Sequence, residues 1–208
     1  MQTAAMIEKL TEADYFDLAE ASAEKLEYTR GCIFAMSGGT PEHSQLAANV
    51  IIALGNRLRG GSCRAYSSDL RIYVADEDAY AYPDVSVVCG PLEVHPRRKD
   101  TITNPTVIVE VLSPSTESYD RNGKWRIYQC LPSLREYVLV STRYMAVDHY
   151  QRTEGGWLFR SHADRDSLLE LGTPLLSVPL SELYADTDIP ALTSAMLRGE
   201  APAPEPRE

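Results

Sequence analysis

Two carboxylates stand where the surrounding sequence is almost wholly apolar. Asp84 follows Pro83 and opens the run Val85-Ser86-Val87-Val88, and Glu110 lies inside Val107-Ile108-Val109-Glu110-Val111-Leu112. A carboxylate is expensive to bury unless it is paired, protonated or bound to a cation. On neighbouring strands the two would make an oxygen cage for Mg²⁺ or Mn²⁺. Such an ion polarises a phosphodiester and lowers the pKa of a bound water. Each residue also has a plainer use: Asp84 as a turn cap after Pro83, Glu110 as the partner of an arginine. Other chemistries leave no signature. There is no G-x-x-x-x-G-K-S/T, no G-x-G-x-x-G, no H-E-x-x-H and no G-x-S-x-G. The histidines, His43, His95, His149 and His162, are scattered. Cys32, Cys63, Cys89 and Cys130 are separated by 31, 26 and 41 residues. That spacing excludes a zinc knuckle, and their apolar neighbours read as reduced, buried thiols.

The elements that would position these groups follow from periodicity and punctuation. Residues 11–23 read as an amphipathic helix with Thr11 and Asp14 as a near capping box. Residues 26–36 read as a hairpin about Thr29-Arg30-Gly31, ended by Ser37-Gly38-Gly39. Thr40 and Pro41 open a helix over 41–59, with Leu46, Val50, Ile51, Leu54 and Leu58 on one face and Gly60-Gly61 as its stop. Short strands are expected at 63–66, 69–74, 84–89 and 106–112. A polar loop is expected around Pro96-Arg97-Arg98-Lys99, the only basic run. A helix over 117–130 and a strand over 136–140 come next. A hairpin, 145–150 with 157–160, turns at Glu154-Gly155-Gly156. A short strand and helical turn over 177–184 end the folded part. The whole reads as one α/β domain over 1–200: a mixed central sheet flanked by helices, with an added hairpin at each end. Residues 201–208 form a Pro-rich polar tail.

The order of these residues resembles the PD-(D/E)XK nuclease superfamily and, more narrowly, the Uma family of restriction-endonuclease-like domains. The resemblance rests on Leu26-Glu27-Tyr28-Thr29-Arg30-Gly31, Ser37 with Pro41-Glu42-His43, Asp69-Leu70-Arg71 and Pro83-Asp84-Val85. It continues through Val109-Glu110-Val111-Leu112-Ser113-Pro114-Ser115-Thr116, Asp120-Arg121, Lys124, Tyr128 and Glu136-Tyr137. It implies a restriction-endonuclease-like core and a divalent-metal-dependent endonuclease that hydrolyses phosphodiester bonds in DNA. Asp84 and Glu110 would then be metal ligands for Mg²⁺ or Mn²⁺, with the Val111 backbone carbonyl as a third donor. Glu27 would assist from the hairpin. The superfamily lysine two residues after the glutamate is replaced by Leu112, and the family pattern moves that role to Lys124. There it would orient the attacking water or stabilise charge on the phosphate. Only Lys9, Lys25, Lys99 and Lys124 occur in the chain, so few residues could substitute. Arg121 would hold Asp120 or a phosphate. His43 reads as an exposed helix-start histidine or a phosphate contact, and Asp69 as a strand opener or a member of the cluster. Two rival readings are a nuclease fold kept as a binding or regulatory module, favoured by the broken E-x-K, and a metal-free two-carboxylate hydrolase.

Charge narrows the partner. The 208 residues carry a formal charge of −10, which excludes coating nucleic acid through a general basic field. Residues 1–30 hold −4 and residues 161–208 hold −6, while 31–160 sum to zero. Nucleic acid must therefore be met at a local, metal-assisted site. The opening residues lack a basic, apolar secretory pattern and no window has the length of a spanning helix, so a cytoplasmic protein with no membrane partner is expected. Cutting two strands would suit a homodimer.

Overall fold

The computed structural model describes residues 9–36 and 39–193. The Ser37-Gly38 end of the first hairpin and the 201–208 tail lie outside the described residues. Helix α1 (Glu12–Ala21) begins with a full capping box: the Thr11 hydroxyl accepts from the Asp14 amide and the Asp14 carboxylate accepts from the Thr11 amide. Strands β1 (Leu26–Thr29) and β2 (Cys32–Ala35) form the expected hairpin. Both of its turn residues have positive φ, Arg30 at 50° and Gly31 at 90°, the geometry that matches the twist of a two-residue hairpin. Helix α2 (Pro41–Leu58) is capped by Thr40 and ends at Arg59 before Gly60.

The middle of the chain alternates between two sheets. It runs through β3 (Cys63–Ser67), β4 (Arg71–Val74), β5 (Ala79–Ala81), β6 (Val85–Cys89), β7 (Val94–His95), β8 (Arg98–Ile102) and β9 (Val107–Leu112). Helix α3 (Glu117–Tyr119), a π-helical turn (Asp120–Lys124) and helix α4 (Trp125–Tyr128) lead to β10 (Glu136–Ser141). Then come β11 (Val147–Thr153), β12 (Gly156–His162), the ribbon β13 (Leu168–Gly172) with β14 (Leu175–Pro179), and α5 (Leu180–Leu183). One six-stranded sheet has the order β12-β11-β10-β9-β6-β3 and the other β2-β1-β5-β4-β8-β7. The single central sheet of the sequence reading is thus two sheets. The N-terminal hairpin is not an appendage, because β1 pairs with β5 and becomes part of the second sheet. The run Arg97-Arg98-Lys99 is not a free loop either. Arg98 and Lys99 open β8, and Arg97 and Arg98 are ion-paired to Glu12 and Glu20 of α1.

Period-two alternation decides what each face of the central sheet carries. Val85, Val87, Val107, Val109, Val111, Val138 and Val140 face α2 and bury its stripe of Leu46, Val50, Ala53, Leu54 and Leu58. Each large side chain so buried contributes about 1.5–3 kcal/mol. The opposite face carries Val88, Ile108, Leu112 and Leu139 against α4 and against Ile72, Val74, Ala81 and Ile102 of the second sheet. One apolar cluster therefore spans both sheets. A third cluster, Tyr15, Tyr28 and Tyr80, seats α1 on the second sheet. The cysteines depart from the reduced-thiol reading. Cys63 and Cys89 are cross-strand partners in β3 and β6 and form a disulfide, and Cys32 is exposed. In-register pairing of distant residues is invisible in their sequence gap. Among the described residues no helix is long and apolar enough to cross a membrane.

Candidate active site

Strands β6 and β9 run antiparallel with Val85 opposite Val109. One step further in that register, Asp84 faces Glu110, on the side of the sheet away from α2. Their spacing is set by main-chain contacts: the Asp84 carboxylate accepts from the Val111 amide at 2.7 Å and Glu110 Oε2 accepts from the Asp84 amide at 3.4 Å. Glu27 arrives from β1 of the other sheet. Its Oε1 accepts from the Tyr82 amide at 2.8 Å and so fixes the segment that leads through Pro83 to Asp84.

Lys124 closes the cluster from the helix side. Its Nζ lies 3.1 Å from Glu110 Oε1, 3.2 Å from Glu27 Oε1 and 3.6 Å from Asp120 Oδ1. Residues 120, 124 and 128 share one helical face, and the Tyr128 hydroxyl donates to Glu110 Oε1 at 3.0 Å. The helix is held from behind. Trp125 stacks on Tyr137 and Tyr150 and meets Trp157 edge-on. The Tyr137 hydroxyl donates to the Asp120 carbonyl at 2.9 Å, a partner for backbone in the π-helical turn. The helix expected across 117–130 is thus interrupted where the site lies, a common place for π turns.

The electrostatics are those of crowded carboxylates. Glu27, Glu110, Asp120 and Lys124 are all buried. Burial pushes the Glu110 carboxyl well above the usual range, opposed by the Lys124 charge and reinforced by Asp120, Asp84 and Glu27. Asp120 is raised by burial too. Lys124 is held well above its ordinary value: burial opposes its charge, and Glu110, Glu27 and Asp120 outweigh that. His43 is not an exposed helix-start residue. It reaches Asp84 Oδ2 at 3.3 Å from the first turn of α2, with its side chain only 19% exposed. Its pKa is raised by that hydrogen bond and by a second one to the Val111 backbone. His43 thus touches two of the three donors the sequence assigns to a metal.

Four of the residues expected from sequence, Glu27, Asp84, Glu110 and Lys124, therefore meet, together with Val111. The floor they form lies in a cleft of about 870 Å³, also lined by Ser113, Ser115 and Thr116. Others fall outside. Asp69 is exposed and pairs with Lys25. Arg121 holds Glu117 and Asp148 rather than Asp120. Leu112, at the position of the superfamily lysine, is buried in the apolar cluster shared by the two sheets. The sequence reading missed the roles of Asp120, Tyr128 and His43. The regular spacing of Asp120, Lys124 and Tyr128 was the signal available for two of them.

The chain resembles known proteins in sequence and in fold. The chain is 41% identical over 179 residues to "Uncharacterized protein slr1290" of Synechocystis sp., covering 85% of this chain and 92% of that one. It is 32% identical over 159 residues to "Uncharacterized protein sll1609" of the same organism, covering 76% and 90%. Its fold matches the crystal structure of a "putative nuclease belonging to DUF820" from Anabaena variabilis with a TM-score of 0.69. That match has 18% identity and covers 85% of this chain and 98% of the other. Residues 12–181 match the family described as Uma2, "Putative restriction endonuclease". The chain thus has a restriction-endonuclease-like α/β fold and belongs to the Uma2 family.

Proposed function

We propose that the protein is a divalent-metal-dependent endonuclease that hydrolyses phosphodiester bonds in DNA. The observation that carries this reading is the imbalance of charge at the cleft floor: Glu27, Glu110 and Asp120 converge on the one ammonium of Lys124, and Asp84 stands opposite Glu110 with His43 at the edge. Self-contained structural clusters neutralise themselves; this one calls for a further cation.

The donor set suits Mg²⁺ or Mn²⁺. Asp84, Glu110 and the Val111 carbonyl are all oxygen ligands and face a cleft with room for water and phosphate. Among the described residues no three His, Cys, Asp or Glu side chains form a preformed metal cage. Mg²⁺ keeps several waters and is bound through one or two carboxylates. When bound, the ion would polarise the phosphodiester and supply a water of lowered pKa. The chain's own groups do the rest. Lys124 holds Glu110 and Glu27 in place and puts a fixed positive charge where the phosphate gains negative charge. Tyr128 fixes the second lone pair region of Glu110, and the Tyr82 amide holds Glu27. His43 keeps Asp84 oriented across the cleft.

The test is cleavage of labelled DNA by purified protein with Mg²⁺ or Mn²⁺, beside Glu110→Ala. Metal-dependent cutting that the variant loses supports the reading. Absence of cutting on every DNA form, or an unchanged variant, rejects it. The second reading, a binding or regulatory module, draws on Leu112 standing apolar in the core where the superfamily has its lysine. Calorimetric titration with Mn²⁺ separates the two, since a module without catalysis needs no ion at Asp84 and Glu110.

A further inference from the structure

The cleft rim carries an aromatic pair that the hydrolysis above does not use. Phe34 on β2 is the direct cross-strand partner of Glu27. It therefore stands on the same sheet face as that carboxylate, one strand further out. Its ring is 44% exposed. The ring centroid lies 5.6 Å from that of Tyr119 on α3, with the planes inclined by 31°. Tyr119 has its place prepared by the chain. A Cβ at Gly123, in the π-helical turn, would come within 2.4 Å of Tyr119 Cδ2. Glycine there lets the tyrosine ring lie flat against the turn that carries Lys124. Both rings line the cleft that ends on the carboxylates.

The same cleft lacks a grip for a phosphate backbone. Among the described residues no arginine lines it, and its two lysines are engaged. Lys124 serves Glu110, Glu27 and Asp120, and Lys25 donates to Asp69 and to the Ser68 carbonyl, each at 2.8 Å. Arg97 and Arg98, the nearest thing to a basic run, are tied to Glu12 and Glu20. Duplex DNA is held chiefly by cations that neutralise a series of phosphates. Unstacked bases are held by aromatic rings, and every base offers such a face. The cleft, about 870 Å³, has the size of a small-molecule pocket.

We infer that the substrate is single-stranded DNA, whose base next to the scissile phosphate stacks on Phe34 and Tyr119. This rests on the nuclease reading for the chemistry, while the stacking platform rests on its own geometry. A single strand needs one site, so the homodimer expected for cutting a duplex is no longer required.

The experiment uses the full chain and an oligonucleotide carrying 2-aminopurine, alone or annealed into a duplex. Binding is followed by fluorescence with Ca²⁺ in place of the catalytic ion, and cleavage is then read with Mn²⁺. The single strand should bind at least about tenfold more tightly than the duplex and its 2-aminopurine should be quenched. Phe34→Ala should cost about tenfold in binding and lose the quench, and Phe34→Trp should keep both. Because Phe34 is exposed, neither change should move Tm. Equal or tighter binding of the duplex, or an unaffected Phe34→Ala, overturns the proposal. Quenching that depends on Phe34 without any cleavage supports the platform and rejects the hydrolysis. No binding of either DNA form rejects the platform.

Discussion

Glu110 and Glu136 lie on adjacent parallel strands, both nearly fully buried, and they solve the same problem in opposite ways. Glu136 is complete in itself. Its Oε2 meets His149 Nε2 at 2.6 Å, and its Oε1 accepts from the amides of Gly172 and Thr173, each at 2.9 Å. This carboxylate ties β10 to β11 and to the β13–β14 ribbon. Glu110 shares its one ammonium with Glu27 and Asp120, faces Asp84, and opens on a cleft. Burial of a carboxylate therefore does not distinguish the two. An excess of like charge beside open space does.

The comparison can be broken most forcefully at Glu136. Glu136→Ala leaves His149 and two amides without their acceptor and should cost about 3–5 kcal/mol. In a chain of this size Tm falls by roughly 2–4 °C per kcal/mol. Calorimetry should show that fall, with cleavage per folded molecule unchanged. A variant that stays as stable as the parent would remove the structural role given to Glu136. Glu110→Gln should do the reverse. Cleavage should drop beyond about 100-fold, since even residues behind a metal ligand cost 10–100-fold. Its Tm should hold or rise as like charges are relieved; a large loss of stability would make Glu110 another Glu136.

A third effect is in the pH dependence of stability, measured in chelator. Burial first, and its carboxylate neighbours after, raise the Glu110 carboxyl in the folded state. Above about 4.5 the unfolded chain has released that proton while the folded one retains it, so stability falls as pH rises through this window. Relative to Glu110→Gln, the parent should lose Tm between pH 5 and pH 8. A gap that stays constant, or moves the other way, contradicts the crowding. Glu12 should show the opposite slope, because the Tyr80 hydroxyl bond lowers its carboxyl; its contribution is present at neutral pH and lost on acidification. The smallest effect belongs to Tyr128→Phe, which removes one bond to Glu110 and should cost about 1 kcal/mol, read from denaturant midpoints.

Much of this was legible in the sequence. A continuous apolar run placed Glu110 on a strand, the Thr40-Pro41 start placed α2, and a resemblance to a known family pointed to Lys124 in place of Leu112. What stayed hidden depends on pairing between distant segments. Nothing local says that β1 joins β5, that Cys63 faces Cys89, or that α1 captures Arg97 and Arg98. His43 was misread for the same reason, because its partner lies 41 residues away, at the entry to β6. The Glu110–Glu136 contrast was equally out of reach, since both are carboxylates in apolar runs and only their neighbours in space differ.

The π-helical turn gives the site a property of its own. A lysine carried on a strand inherits its direction from the pleat and cannot be re-aimed without breaking a sheet. Here the ammonium is aimed by the phase of a helix. One residue fewer between Asp120 and Lys124, with Trp125 still fixed in its aromatic seat, would leave Lys124 in place and swing Asp120 by about 100° around the axis. The strands, the core, Glu27, Asp84 and Glu110 would all remain. A single-residue insertion or deletion in this turn would thus change which carboxylates share the Lys124 ammonium while leaving the architecture as it is.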